Sequence, residues 1–330
     1  MATNYEFHTK YTNSYISTRF VIHRPGSKTM KKIETSKLSW IDFTEPSADE
    51  VLALKKLKIH PLAIEEFSTP SARPKASFYG NCLYLALHIP LFDKLNRRTF
   101  PSELDVVMTK NHLITGHDQD IFQLHDFFNK LNRSKKLREK YMSQSPGYLL
   151  YYIIEMLLES CFPKIDHINK NLDKIEEEIF KGNEREMVHE ISFVKRDILN
   201  FRRTLKPQKS VLESLARDNY SILEPELRPY FQDLVGTNIR VWSALENAKE
   251  TIESLEDTND ALLSNKLNHT MKVLTIFSAI FLPMTVISNI LAMSAPIPFG
   301  HSQYGFWIWI GIMLIACFIT IGIFKWKKWI

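Results

Sequence analysis

Val273–Met293 reads VLTIFSAIFLPMTVISNILAM and Phe306–Phe324 reads FWIWIGIMLIACFITIGIF, and neither run holds a charged residue. The first covers about 21 positions and the second about 19; at ~1.5 Å of helical rise per residue, each can cross a hydrocarbon core ~30 Å thick. The competing reading is a buried hairpin in a soluble protein. Lys266 and Lys272 precede the first run, and Lys325, Lys327 and Lys328 follow the second. Such cations belong at the flanks of a membrane-crossing pair. The sequence predicts a C-terminal two-helix transmembrane hairpin.

Ile287–Trp307, between the two apolar centres, holds no Asp, Glu, Lys or Arg. The asymmetry of positive charge puts both termini in the cytosol and the short turn, residues 294–305, outside. A multi-pass protein of the cell (inner) membrane follows. Trp307, Trp309, Trp326 and Trp329 are placed as interfacial anchors.

The chain has 330 residues and a formal net charge of +5, only mildly basic. Basic runs such as Lys135-Lys136-Leu137-Arg138 come without zinc-finger spacing, aromatic RNA-binding motifs or a homeodomain pattern, so nucleic acid is not an expected partner. Cys82, Cys161 and Cys317 are far apart, as suits a reducing compartment. The N-terminal MATNYEFHTKYTNSYI lacks the apolar centre of a secretory signal. No P-loop, GxSxG or HExxH pattern occurs, and His60, His88 and His269 show no paired ligand spacing, which argues against an enzyme.

Residues 1–120 alternate between strand and helix patterns and predict a cytosolic α/β domain with a mixed sheet. YISTRFVIH, LSWIDF and CLYLALHIPLF are strand-like, and LDVVMTKNHLITG is a hairpin turning at Asn111. SADEVLALKKLKI begins a helix with Ser47 as its cap. Residues 121–230 are helical throughout. Tyr148–Phe180 reads as one long amphipathic helix ended by Gly182-Asn183, and a second follows from about Glu186 to Arg217. The prolines of NYSILEPELRPYFQDLVG break the pattern. Residues 231–293 then read as one stalk helix running into the first span, on the order of 90 Å long, which needs packing neighbours to be stable. Residues 306–330 are the second span and a basic tail. Glu176-Glu177-Glu178 reads as a solvated helix face.

HPLAIEEF, RPKASFYGNCLYLAL, ELDVVMTKNHLIT, RPYFQDLVG and above all SNKLNHTMKVLTIFSAIFLPMTVI resemble the CorA family of divalent-cation channels and transporters. The terminal KWKKWI completes a likeness that covers nearly the whole chain. That resemblance implies a homopentamer, a funnel of long helices, and a central pore lined by the first span of each subunit. The cargo it implies is magnesium, with cobalt or nickel as further divalent cations. One place departs from the pattern. Where the family carries Gly-Met-Asn as its selectivity filter, this chain has Ala292-Met293-Ser294, followed by APIPFGHSQY, in which His301 alone titrates near neutral pH.

Within the first span, Asn268, Met271, Leu274, Ser278, Leu282, Thr285 and Asn289 recur every three or four residues, close to the helical period. They form a stripe of alternating polar and apolar character, expected to line the pore. The plainer reading is that Asn289 and Ser288 hydrogen-bond to neighbouring helices. Magnesium loses its water reluctantly, so a wide ring of neutral oxygens can hold it hydrated. Asn289 is expected to supply the carboxamide ring in place of the altered signature. Apolar rings at Met271, Leu274 and Leu282 can gate by dewetting. The resemblance further implies a regulatory magnesium site between subunits, formed by Asp93 and Asp233. Three rival readings remain at this level: a zinc carrier of the same superfamily, a less selective cation pathway, and a non-conducting membrane scaffold.

Overall fold

The computed structural model describes residues 30–218, 220–292 and 304–327. The strand expected at Tyr15–His23 lies outside these residues, as do Met293, Ser294, His301 and Trp329. The chain divides into two compact units. One holds the described residues up to Leu87 together with Ser102–Ile153 and Ser214–Tyr230; the other holds His88–Pro101, Ile154–Glu213 and everything from Phe231 onward.

The first unit is built on β1 (Met30–Glu34), β2 (Ser39–Thr44), α1 (Ala48–Ala53), α2 (Pro61–Ser68), β3 (Lys75–Tyr79), β4 (Cys82–Asp93), β5 (Arg98–Met108) and β6 (His112–His117). The six strands form one sheet in the order β1-β2-β6-β5-β4-β3. Pairs β1/β2, β3/β4 and β5/β6 are antiparallel, whereas β2/β6 is parallel, so the sheet is mixed as expected. Its middle is apolar on both faces: Leu83, Leu85, Leu104 and Val106 alternate with Tyr84, Ala86 and Val107, all buried. α1 and α2 cover one face through Val51, Ile64 and Phe67. On the other, Trp40 meets Phe128 edge-on, 4.8 Å between ring centres, from α3 (Phe122–Arg133). Ser47 caps α1 by accepting from the Glu50 N–H, while the Glu50 carboxylate accepts from the Ser47 N–H. Thr109 and His112 close the β5–β6 hairpin around Asn111.

After α4 (Lys135–Met142) the expected long helix is two, α5 (Pro146–Glu159) and α6 (Cys161–Phe180). Pro163 explains the break. It has no N–H for the Glu159 carbonyl, and its ring crowds that carbonyl, so the helix restarts after Ser160. The second expected helix also splits, into α7 (Glu184–Leu205) and α8 (Gln208–Arg217), and Pro207 sits in the break for the same reason. α9 then runs without interruption from Arg228 to Ala292. Its 65 residues make a rod of about 98 Å. Pro283 lies inside it, and the helix continues past this residue. α10 (Gly305–Trp326) follows.

The second unit supplies the neighbours that such a rod needs. Ile165, Ile168, Leu172, Ile175 and Ile179 of α6 pack with Ile191, Val194, Ile198, Phe201 and Leu205 of α7 and with Val241, Leu245, Ala248, Ile252 and Leu255 of α9. On each helix these positions alternate steps of three and four, the heptad spacing that keeps a seam facing its partners. Ion pairs run beside the seam: Arg202 to Glu246 and Lys195 to Glu256, each 2.5 Å, and Glu184 to Lys266. As the α7 number falls the α9 number rises, which marks the two helices as antiparallel.

Candidate functional site

Among the described residues two helices are long and apolar enough to cross a membrane, and neither apolar window is buried. Phe277, Leu282, Phe318 and Trp326 are all more than half exposed. A buried hairpin, the competing reading, would hide such side chains.

Asn268, Met271, Leu274, Ser278, Leu282, Thr285 and Asn289 are all exposed along α9. At ~100° per residue they fall within a sector of about 120°. Ile276, Ala279, Ile280, Pro283, Met284 and Ile287 are half-buried and occupy the opposite sector. Their cover is α10, since the Cys317 thiol of that helix meets the Met284 sulfur at 3.4 Å. On α10 the half-buried positions are Trp309, Ile310, Gly311, Met313, Ala316, Cys317, Thr320 and Phe324, all but Gly311 gathered on one side of the helix. One sector of the first span thus lies against the second span, and the stripe belongs to the exposed remainder together with Thr275, Phe277, Phe281 and Ser288. Sequence periodicity found the stripe but not the face behind it. In an all-apolar run every face has the same composition, so only packing tells them apart.

The stripe has a definite hydrogen-bonding character. The Thr285 hydroxyl donates to the Phe281 carbonyl at 2.9 Å, which uses its proton and leaves its lone pairs available. Thr285 therefore presents an acceptor, not a donor, on the exposed side of the helix. Met271, Leu274 and Leu282, each 60% exposed or more, set apolar positions between the polar ones. Asn289 lies in the last turn of α9, where carbonyls without helical partners carry partial negative charge. Ala292 ends the helix and is exposed.

Asp93 and Asp233 both belong to the second unit. Asp93 ends β4, and its carboxylate accepts from the Leu95 N–H at 2.9 Å, the Asn96 N–H at 3.2 Å and the Asn96 amide at 2.6 Å. Those donors, the Asn96 side chain foremost, hold it below the usual carboxylate range. It stays ionised; Oδ1 accepts both backbone N–H groups, and Oδ2, which accepts only the Asn96 amide, retains a lone pair. The hairpin tip carrying it is pinned at four points. Lys164 donates to the Pro90 carbonyl at 2.6 Å and Gln208 to the His88 carbonyl at 2.5 Å. Asp197 accepts from the Thr99 N–H, and Arg97 forks onto Glu190 at 2.5 and 2.9 Å. Asp233 is exposed near the start of α9. Among the described residues no three His, Cys, Asp or Glu side chains of the single chain converge as metal ligands. The donors at hand are two ionisable carboxylates, oxygen ligands of the kind a hard divalent cation takes. The four pinning contacts escaped sequence reading because they join residues far apart in the chain.

Comparison with known proteins agrees with this architecture. A 301-residue stretch is 29% identical to the cobalt/magnesium transport protein CorA of Thermotoga maritima, covering 90% of this chain and 85% of that one. The complete structure of the CorA magnesium transporter from Methanocaldococcus jannaschii superimposes with a TM-score of 0.78 at 25% identity, over 90% of this chain and 93% of that one. The full-length CmaX protein shares the fold, with a TM-score of 0.71 at 19% identity, over 89% and 90% of the two chains. The model of the family described as CorA-like Mg2+ transporter protein matches residues 35–327, and the chain belongs to that family.

Proposed function

We propose that this chain carries divalent cations across a membrane, magnesium foremost and cobalt after it, as one subunit of a homopentameric pore. Family membership over residues 35–327 supports divalent-cation transport. The observation that carries the pore reading is the division of labour on α9: one face covered by α10, the opposite face exposed and alternately polar and apolar. A polar residue in lipid is costly unless it meets a partner or water. Gathering copies of the exposed face around a wet axis gives Asn268, Ser278, Thr285 and Asn289 water and cation to face. Met271, Leu274 and Leu282 form apolar rings between them. Both termini lie in the cytosol, in keeping with the lysines that flank the hairpin.

In this reading Ala292, Met293 and Ser294 take the part of the selectivity filter. Serine offers one short hydroxyl where the family has a carboxamide, and Asn289, about one and a half turns deeper, provides the amide oxygens. Loss of magnesium flux in liposomes is expected to be more severe for Asn289→Ala than for Ser294→Ala; equal or reversed losses refute the assignment. The altered filter also favours a second reading, relaxed selectivity or zinc transport. Flux of magnesium, cobalt, nickel, zinc and sodium through the same liposomes separates these, and no flux of any ion leaves a membrane scaffold.

Asp93 of one subunit and Asp233 of its neighbour hold a cytosolic magnesium ion that favours the closed pore. Magnesium is then expected to protect the cytosolic part from protease in the unmodified protein and not in Asp233→Ala. Equal protection in both removes this site.

A further inference from the structure

The last tie between α9 and the helices beside it lies immediately before the stripe. Leu255 is buried against α6 and α7, Leu262 only partly, and from Ser264 to Met271 every side chain is exposed. Lys266 interrupts this freedom. Its ammonium donates to the Gly182 carbonyl at 3.1 Å and to the Glu184 carboxylate, both in the α6–α7 turn. Asn268, the first residue of the stripe, follows two positions later, about 3 Å along the axis.

The turn is built to present these two acceptors. The Gly182 N–H bonds to the Ile179 carbonyl at 3.1 Å, and the Asn183 N–H bonds to the Glu178 carbonyl at 3.1 Å. Gly182 has φ +97°, a left-handed conformation that a side chain would strain, and Lys266 Nζ lies 3.8 Å from where a Cβ would stand. Glu184 opens α7, where the helix dipole favours an acid. It is 4% exposed. The cover is local, since the turn stands at the end of the paired helices and Lys266 is itself half-exposed. Withdrawal of the lysine therefore opens the carboxylate directly to water. A contact so placed can be made or released at small cost, in contrast to the packed seam above it.

We propose that Lys266, held by Glu184 and Gly182, is a latch that fixes where α9 leaves its helical sheath, and so is a positioning residue for the pore-lining stripe. The proposal rests on the transport reading above. Latched, the base of the stripe moves with the α6–α7 turn; released, the segment from Leu262 to Asn268 swings independently of α7.

The test uses the full-length protein in liposomes, with magnesium flux as one readout and hydrogen exchange of residues 181–187 as the other. Lys266→Ala and Glu184→Gln are each expected to speed exchange in the turn and to change flux by about two- to fivefold in the same direction, the range that a partly exposed ion pair supports. The double variant is expected to equal either single variant, and Lys266→Arg to behave as the unmodified protein. Faster exchange with unchanged flux, or single effects that add in the double variant, overturns the latch. Absence of divalent-cation flux in the unmodified protein overturns the transport reading and the latch's role with it, whereas normal flux in every variant overturns the latch alone.

Discussion

The two halves of α9 are one continuous helix written for two solvents. Between Val241 and Glu256 the heptad positions are buried and the flanking faces carry Glu246, Lys249 and Glu256 in ion pairs. Between Asn268 and Asn289 no flank beyond Lys272 is charged, one face touches α10, and Asn268, Ser278, Thr285 and Asn289 stand on the opposite, exposed face. In water apolar positions go inward because burial stabilises them. In lipid that preference vanishes between helices, and polarity is what seeks an interior. The same periodicity thus means opposite things on either side of Lys266.

Truncation is the strongest way to break this contrast. Ile252 is fully buried between α6 and α7, so Ile252→Ala is expected to cost about 2–5 kcal/mol in thermal unfolding followed by circular dichroism. Leu274 is 65% exposed in the single chain and faces the wet axis in the proposed pore, so Leu274→Ala is expected to stay within about 0.5 kcal/mol. Equal losses at the two sites would mean that the stripe is packed as a core. Asn259 gives a smaller effect of opposite sign. It occupies the heptad position between Leu255 and Leu262, 1% exposed, with its carbonyl oxygen lacking a hydrogen-bond donor. A buried unsatisfied acceptor costs about 1–3 kcal/mol, so Asn259→Leu is expected to raise the unfolding midpoint. A lowered midpoint would show that the amide fixes the register of the three helices and stabilises more than it costs.

Much of this fold was legible in the residues. The two apolar runs, the Ser47 cap, the Asn111 hairpin and the stalk helix all rest on local signals, and each stands in the structure. The breaks at Ser160 and before Gln208 were also written locally, by Pro163 and Pro207, but a strong apolar period masked them. The site was less legible. Spacing gathered the stripe, whereas the face of α9 that meets α10 showed itself only in Met284 against Cys317. The heptads at Ile165–Ile179 and Val241–Leu255 were open to reading, since their spacing is strict. The ion pairs that accompany them were not, because Glu184 and Lys266 meet only after two helices fold back on each other.

The ion pairs yield the smallest effect and the sharpest separation of the two halves. Lys195 and Glu256 meet at 2.5 Å with their side chains 32% and 39% exposed, so water screens much of their attraction. Lys195→Ala is expected to cost less than about 1 kcal/mol. At 1 M salt the Debye length is ~3 Å, and the difference between variant and unmodified protein should nearly disappear. Ile252→Ala should keep its full deficit there, because area removed from water does not depend on charge. Between Asn268 and Asn289 no carboxylate is present to pair with Lys272, so Leu274→Ala should respond little to salt. A salt-dependent deficit for Ile252→Ala would mean that the charges beside the seam help the apolar residues hold the stalk to its neighbours, whereas a salt-independent one for Lys195→Ala would mean that its methylene stem, rather than its charge, makes the contact.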